Sequence, residues 1–155
     1  MSSSAEGRIA ELGISLPQAA APVANYVPVV QTGNLLVVSG QLPFEKGELL
    51  AKGKLGENVS EEEGIACARA CFLNIVAQIK AALNGDLSRV KRIVRLGGFI
   101  ACSADFVNHA HIMNGASNMA VDIFGEAGKH ARAAVGVPSL PLNAPVEVEA
   151  IFEVS

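Results

Sequence analysis

Hydrophobic residues recur with two different periods along the chain, and each change of period marks a boundary between predicted elements. Apolar residues at spacings of three and four predict two core helices, over residues 60–84 and 105–124. The first opens on Ser60 and Glu63, which have the spacing of a capping box, and the two segments lead into Gly85 and Gly125. Two amphipathic helices therefore form the main helical part of the predicted fold.

Apolar runs rich in β-branched residues predict the strands. The tight-turn composition of residues 32–34, Thr-Gly-Asn, joins the first two runs into a hairpin. Gly97 and Gly98, in the middle of a later run, indicate a bulge or a close backbone approach. The strands are predicted over residues 26–31, 35–39, 48–51, 90–102, 131–137 and 146–154.

The N-terminal residues predict one more, short helix. Ser3 and Glu6 have the spacing of a capping box, and Ile9 and Leu12 then give one narrow apolar edge. We expect two to three helical turns that lie on the surface as an appendage. The whole chain is predicted to be a single domain, with the N-terminal helix and its connection in residues 1–21 and the core in residues 22–155.

This order of elements predicts an α+β fold with a mixed β-sheet, hairpins at both ends, and two helices packed on one face. Along residues 146–154, apolar residues alternate with acidic ones, so one face of the sheet lies under the helices. Residues 35–38 and 93–94 are apolar on both sides of their strands. A second subunit is therefore the favoured cover for the other face.

Composition and charge narrow the class of protein. Half of the 155 residues are hydrophobic, and twelve basic residues against fifteen acidic ones leave a net charge of -3. That balance makes nucleic acid an unlikely partner. The wholly apolar stretches are only a handful of residues long, and no basic region precedes an apolar core at the N-terminus. We therefore expect a soluble cytoplasmic protein without a membrane partner.

The cysteines and histidines do not form a metal-site pattern. Cys67, Cys71 and Cys102 are an odd number without a CxxC pair, which suits a reducing compartment. Cys67 and Cys71 share one side of a predicted helix, where small buried hydrophobes are favoured over a metal or redox pair. His109 and His111 diverge on a helix and lack a surrounding cluster of ligands. We expect no metal and no cofactor.

Arg132 is the leading candidate for chemistry. It stands in a predicted strand between Ala131 and Ala133, so its guanidinium has room for a ligand carboxylate, bound through two parallel hydrogen bonds. A cross-strand ion pair with Glu147 or Glu149 is the alternative structural role. The residues alone leave both interpretations open.

Several segments, taken in order, resemble one protein family. Residues 25–27 read N-Y-V, residues 31–43 read Q-T-G-N-L-L-V-V-S-G-Q-L-P, residues 131–132 read A-R, and residues 146–151 read V-E-V-E-A-I. From about residue 22 to the C-terminus the chain is similar to the YjgF/RidA family of reactive-intermediate (enamine/imine) deaminases, also known as endoribonuclease L-PSP proteins. The resemblance implies a chorismate-mutase-like fold, assembled as a homotrimer with a ligand cleft between neighbouring subunits.

The resemblance also implies the residues of the site. Arg132 matches the arginine that holds the substrate carboxylate, and Glu147 matches the glutamate that positions or activates the attacking water. Tyr26 matches a tyrosine that lines the cleft, and Ser39 and Gly40 match the turn whose backbone meets the ligand. The implied reaction converts a 2-imino acid, derived from an enamine such as 2-aminoacrylate, into a 2-keto acid and ammonia. It requires no metal and no cofactor.

The chain departs from the family pattern around the arginine. Ala133 and Ala134 stand where a Ser-Cys or similar pair is usual, so only the backbone N–H of Ala134 is left as a substrate contact there. His130 stands in place of the usual proline before Ala-Arg, and the helical asparagine of the family falls near Asn114. The chain therefore resembles a divergent branch of the family.

Two other functions are compatible with these residues. The first is a trimeric protein that binds a small carboxylate or keto acid without turning it over. The second, an endoribonuclease, is less favoured because a net charge of -3 and only seven aromatic residues, six Phe and one Tyr, provide neither a basic groove nor a stacking surface.

Overall fold

The computed structural model describes residues 4–21 and 25–155. Within these residues the chain forms three α-helices and seven strands. The helices are α1 (Ala5–Glu11), α2 (Glu61–Ala82) and α3 (His109–Phe124). The strands are β1 (Val29–Thr32), β2 (Leu35–Gln41), β3 (Phe44–Glu45), β4 (Glu48–Leu49), β5 (Val90–Ala101), β6 (Ala131–Val137) and β7 (Val146–Val154).

Five strands form one mixed sheet in the order β1-β2-β7-β5-β6, and β3 pairs with β4 in a separate hairpin. Within the sheet, β5 and β6 are parallel and the other neighbours are antiparallel. The predicted α+β fold with a mixed sheet is confirmed, and so is the hairpin of β1 and β2 around Gly33, whose φ of 58° favours glycine. β1 begins at Val29, three residues later than predicted.

The predicted hairpin at the C-terminal end is wrong. β6 does not pair with β7, because β5 lies between them. α3 connects β5 to β6 as a βαβ crossover, which brings β6 parallel to β5 at the edge of the sheet. Residues 138–145 then carry the chain back to β7, on the other side of β5.

One face of the sheet packs against α2 and α3. Buried and partly exposed residues alternate strictly along β7, so its apolar set lies in the core as predicted. α2 is capped as predicted, since Ser60 Oγ accepts from Glu63 N at 3.1 Å and Glu63 reaches back to Ser60 N. By length and composition α2 could cross a membrane, but 61% of its most apolar window is buried, which is typical of a core helix.

The N-terminal helix is part of the core and not an appendage. Ile9 of α1 is only 9% exposed and belongs to the main apolar cluster. Glu6 Oε1 accepts from Leu87 N at 3.4 Å and lies 3.9 Å from Lys80 Nζ. The capping residue is Ser4, one position later than predicted, and Ser3 lies outside the described residues. A single apolar edge is therefore enough to dock this helix.

α3 begins at His109, four residues later than its pattern predicts. Ser103 N donates to Leu55 O at 2.9 Å and Leu55 forms a bridge with Cys102, and Phe106 N donates to Ser103 O at 3.2 Å, so residues 103–106 form a turn before the helix begins. The close approach predicted at the β5 glycines is present, because a Cβ at Gly98 would lie 2.7 Å from Met113 Cε. The register shifts of β5 occur earlier in the strand, between Val90 and Arg95.

Candidate functional site

Arg132 lies on the edge strand β6 and points toward α3. It is opposite the buried Leu96 of β5, so it is on the helix-covered side of the sheet. Its Nη1 donates to Asn114 Oδ1 at 2.9 Å and to Ser117 Oγ at 3.1 Å. Both acceptors are neutral. The charge of the guanidinium is therefore held in place without being neutralised.

No carboxylate pairs with Arg132 within residues 4–21 and 25–155. The predicted alternative, a cross-strand ion pair with Glu147 or Glu149, is wrong, because β5 separates β6 from β7. Glu149 instead pairs with Arg95 at 3.1 Å. Nη2 and Nε of Arg132 make no hydrogen bond to any described residue. That edge of the guanidinium has the geometry to receive a carboxylate through two hydrogen bonds.

Three polar residues around Arg132 were not among the sequence-derived site residues. Asn114 and Ser117 contact the guanidinium directly, and Ser117 Oγ lies 2.9 Å from His130 Nε2. Their spacing was an available signal, since Asn114 and Ser117 are three residues apart on a helix and share a face. The sequence does not show that these two residues contact Arg132, because the contact depends on how α3 crosses over to β6.

Glu147 lies on the opposite, open face of the sheet. β2 has a bulge at Ser39 and Gly40, where two residues stand opposite Glu149 alone. The Glu147 side chain rests on Gly40, because a Cβ there would lie 2.8 Å from Glu147 Cδ. The structure therefore brings Glu147, Ser39 and Gly40 together, at a bulge within a strand and not in a turn.

The environment of Glu147 favours its protonated form. Burial raises the pKa of the Glu147 carboxyl above its ordinary value, and the nearby negative charge of Glu149 raises it further. A carboxyl group with a raised pKa is a stronger base once it ionises. This arrangement suits a residue that takes a proton from water.

Tyr26 and Ala134 lie at the margins of these two groups. Tyr26 precedes β1 and is 60% exposed. The next residue, Val27, is tied to the bulge because Ser39 Oγ donates to its carbonyl at 2.8 Å. Ala134 is half-buried, two residues after Arg132 and on the same side of β6.

Arg132 and Glu147 do not meet within one chain. Arg132 is opposite Leu96 of β5, and Glu147 is opposite Phe99, three residues further along the same strand. Three residues of rise and two strand spacings place the two Cα atoms roughly 14 Å apart. Because the offset is odd, the side chains point to opposite faces of the sheet. One chain therefore supplies two separate halves of the predicted site.

The open face also carries exposed apolar side chains. Val37, Val94 and Val135 are 39%, 37% and 47% exposed, and all belong to strands of the sheet. Val30, which is 51% exposed and opposite Val37, lies on the same face, so exposed apolar side chains occur on four strands of the face that carries Glu147 and the Arg95–Glu149 ion pair. A surface of this kind is typical of a face that another protein surface covers.

The cysteines of α2 have the properties of core residues. Cys67 and Cys71 are both fully buried. Burial raises the pKa of Cys67 to about 11, with a further contribution from Glu63, and burial raises the pKa of Cys71 well above its ordinary value. Neutral thiols are poor nucleophiles and poor metal ligands. In the part of the chain that the structure describes, no three metal-ligating side chains cluster.

Comparison with known proteins places the chain among relatives of one kind. Residues 6–154 match the family described as "YjgF/chorismate mutase-like, putative endoribonuclease". Protein TCP17 of Trypanosoma cruzi is 49% identical over 160 residues, covering 100% of this chain and 99% of that protein. The 2-iminobutanoate/2-iminopropanoate deaminase of Dermatophagoides farinae is 30% identical over 143 residues, covering 89% of this chain and 92% of the relative.

Solved structures give the same result. Protein Atu1372 of Agrobacterium tumefaciens superposes with a TM-score of 0.92 at 50% identity, over 97% of this chain and 92% of its own. TdcF of E. coli, solved with bound serine, superposes with a TM-score of 0.64 at 25% identity, over 89% of this chain and 94% of its own. The overlap with Atu1372 extends over nearly the whole of both chains.

Proposed function

This chain belongs to the YjgF/chorismate mutase-like family, and we propose that within it the chain hydrolyses 2-imino acids of the 2-aminoacrylate type to 2-keto acids and ammonia. The named activity of the Dermatophagoides farinae relative supports this reaction class. We place the reaction in the cytoplasm.

The observation that carries the proposal is the state of Arg132. Its guanidinium is fixed by two neutral acceptors through Nη1, and it has no acidic partner among the described residues. An uncompensated guanidinium with a free bidentate edge is suited to a small carboxylate. The serine bound to TdcF, itself an amino acid with a carboxylate, supports a ligand of this size in a relative.

The proposed reaction starts with the substrate carboxylate on Nη2 and Nε of Arg132. Glu147 takes a proton from a water molecule while the water oxygen attacks the imine carbon, and a tetrahedral carbinolamine forms. The same proton passes to the nitrogen of the former imine, which completes the neutral carbinolamine. Glu147 then takes the carbinolamine hydroxyl proton and passes it to the amine nitrogen while the C=O bond forms and the C–N bond breaks, so that ammonia leaves and a 2-keto acid remains. The raised pKa of Glu147 brings the base closer to the working pH and supports this role.

We propose that the catalytic site is completed between subunits of a homotrimer. Arg132 and Glu147 lie on opposite faces of one sheet, so a substrate that contacts both needs residues from two chains. The apolar open face beside Glu147 provides the surface for such an assembly. Ser39, Gly40 and Tyr26 would then line the half of the cleft that contains Glu147, and Ala134 the half that contains Arg132.

The first experiment measures keto-acid and ammonia release from freshly generated 2-aminoacrylate. The wild type is compared with Arg132→Ala and Glu147→Gln at matched trimer content, and His111→Asn, an exposed change on α3, serves as the control. Loss of charged hydrogen bonds worth about 1.5–3 kcal/mol predicts a fall of about 10- to 150-fold in kcat/KM for Arg132→Ala. If the wild type accelerates the hydrolysis of no imine, the chain is not a deaminase.

Mixed trimers test whether the site is shared. Arg132→Ala and Glu147→Gln chains, each expected to be impaired at least about 10-fold alone, are unfolded and refolded together in equal amounts. If the site joins two chains, about a quarter of the interfaces recover both residues, and activity returns to about a quarter of the wild-type value. If both residues act within one chain, the mixture stays as inactive as its components.

The binding function has its own signature in the same experiments. Ala133 and Ala134 provide no side-chain hydrogen-bond donor beside Arg132. If the reaction needs such a donor, its absence favours a binding protein over an enzyme. A wild type that binds 2-oxobutanoate through Arg132, but releases no ammonia from any imine, would make the chain a trimeric carboxylate-binding protein.

A further inference from the structure

The hydrogen bonds at Arg132 continue into a line of side chains that ends on the backbone. Arg132 Nη1 lies 3.1 Å from Ser117 Oγ, and Ser117 Oγ lies 2.9 Å from His130 Nε2. His130 Nδ1 lies 2.6 Å from the carbonyl oxygen of Gly128. The line is uninterrupted from the guanidinium to a main-chain acceptor.

The chemistry of the two ends fixes the direction of each bond. The Gly128 carbonyl only accepts, so His130 Nδ1 carries a proton. The Arg132 guanidinium only donates, so Ser117 Oγ accepts from it. In the neutral imidazole, Nε2 has no proton, and Ser117 therefore donates its hydroxyl proton to His130.

The backbone end of this line is held by packing. A Cβ at Gly128 would lie 2.6 Å from the carbonyl carbon of Ala120 in α3, so Gly128 fits directly against that helix. Lys129 N donates to Glu126 O at 3.2 Å and closes the short turn around Gly128. Ser117 is on the same helix, one turn before Ala120. Both ends of the line, Gly128 and Arg132, are therefore held against α3.

We propose that His130 and Ser117 are positioning residues for Arg132. His130, as its Nδ1–H tautomer, accepts a hydrogen bond from the Ser117 hydroxyl at Nε2 and so turns a lone pair of Ser117 toward Arg132 Nη1. Asn114 Oδ1 accepts from the same nitrogen at 2.9 Å. Two acceptors on one nitrogen fix the plane of the guanidinium and leave Nη2 and Nε for the ligand.

This inference rests on the proposed function only in taking a 2-keto or 2-imino carboxylate as that ligand. It goes beyond the anchor itself, because it assigns the orientation of the anchor to two residues that make no ligand contact. Such residues act on binding more than on the chemical step, so their loss should raise KM and Kd with little change in kcat.

The line of hydrogen bonds from Arg132 through Ser117 and His130 to the Gly128 carbonyl is called the relay below. Two substitutions at His130 distinguish the effect of the relay from a general loss of packing. His130→Asn can keep a donor for the Gly128 carbonyl but has no acceptor at the position of Nε2, whereas His130→Gln places an amide oxygen near that position. Ser117→Ala removes the acceptor from Arg132. His111→Asn is the matched control, because His111 is exposed on the same helix.

The probe is 2-oxobutanoate, a stable 2-keto acid, and binding is measured by calorimetry. Ser117→Ala and His130→Asn are expected to raise Kd by about 3- to 10-fold, the size of one ordinary hydrogen bond. His130→Gln should stay close to the wild type. The KM for freshly generated 2-iminopropanoate should follow the same order, with kcat nearly constant.

The tautomer is tested without any ligand. Long-range ¹H–¹⁵N spectra of the three histidines are expected to show His130 protonated on Nδ1 and unprotonated on Nε2. An Nε2–H tautomer overturns the relay. A second result would also overturn the relay: Ser117→Ala and His130→Asn both bind 2-oxobutanoate as tightly as the wild type, whereas Arg132→Ala does not bind it.

Failure of the proposed function gives a different result. In that case the wild type neither binds 2-oxobutanoate nor hydrolyses imines, and the relay is judged from the free protein. Ser117→Ala should then shift the side-chain N–H resonances of Arg132 and leave those of Arg92 unchanged. Unshifted Arg132 resonances in that variant would refute the relay independently of any ligand.

Discussion

Adding a single methyl group at Gly40 tests whether the carboxylate of Glu147 must sit where the structure places it. A Cβ on Gly40 would lie 2.8 Å from Glu147 Cδ and 3.1 Å from its Cγ, whereas ordinary contacts begin at 3.4 Å. The carboxyl carbon must therefore retreat by about 0.6 Å, and the oxygen beyond it by about 1 Å. Gly40→Ala moves the candidate base without removing it.

The fold should tolerate this change. The atoms in the way belong to the far end of a flexible side chain, and Gly40 does not have a positive φ that would exclude alanine. We expect the free energy of unfolding to change by less than about 1 kcal/mol. A displacement of about 1 Å at a catalytic group can cost about 100-fold in rate, so kcat/KM should fall by about 30- to 100-fold.

The assay is 2-keto acid release from freshly generated 2-aminoacrylate, with the unfolding midpoint in urea and the trimer content measured on the same samples. Gly97→Ala is the matched control. It adds a methyl on the same open face, 2.7 Å from Arg95 Nη1 and 2.9 Å from Glu149 Cγ, and none of the three atoms nearest to that Cβ belongs to Glu147. Because Glu149 also raises the pKa of Glu147, the two variants are compared at a pH above the acidic limb of the kcat/KM profile, where Glu147 is ionised in both. Equal activity losses in Gly40→Ala and Gly97→Ala, or full activity in Gly40→Ala, would refute a role for Glu147 in its present position.

Three further predictions use other parts of the structure. Glu149→Gln removes one of the two causes that raise the pKa of Glu147, so the acidic limb of the kcat/KM profile should move to lower pH; a limb that stays in place would exclude Glu147 as the base. Gly136→Ala places a Cβ 2.6 Å from His109 Nε2 and 2.8 Å from Cys102 Sγ and should lower stability by about 1–3 kcal/mol in urea titrations; the loss should be smaller in a His109→Ala background, where only the contact with Cys102 remains. Ser60→Ala removes the cap of α2 and should cost about 1 kcal/mol in the same titration, with no effect on KM.

The elements that could be predicted from the sequence are those set by local signals. β6 and β7 begin and end where the pattern of β-branched residues, glycine and proline places them. The start of α2 follows from the capping box at Ser60. In each case the information lies within a few residues of the boundary, so no knowledge of the tertiary structure is needed.

The errors concern contacts between distant segments. The two last strands were predicted to pair because they follow each other in the chain, but β5 lies between them in the sheet. The period of a strand specifies which residues share a face and does not specify the neighbouring strand. The late start of α3 has the same origin, since Ser103 N donates to Leu55 O in a distant loop, and residues 103–106 form a turn where the pattern predicts the first turn of the helix.

The same distinction between local signals and contacts of distant segments applies to the candidate site. The small neighbours of Arg132 predict a guanidinium with room for a ligand, and this prediction rests on a local property of the sequence. The actual partners of the guanidinium, Asn114 and Ser117, come from α3; the resemblance places a helical asparagine near Asn114, but the contact of both residues with Arg132 depends on the crossover of that helix. The resemblance to the family points to Arg132 and Glu147 together but does not state that one chain holds them on opposite faces.

That separation has a physical consequence for the origin of activity in this fold. The carboxyl group of Glu147 has a pKa raised by burial, and the half-buried guanidinium of Arg132 has no counter-ion among the described residues. Each is held in place by its own neighbours, Arg132 by α3 and Glu147 by the bulge at Gly40. Residues that are costly to the folded chain and are nevertheless positioned this firmly are expected at functional sites. Because the two halves cannot meet within one sheet, assembly, and not folding alone, would create the catalytic pair. Substitutions at the open face should therefore abolish activity by preventing assembly even where every hydrogen bond of Arg132 remains intact.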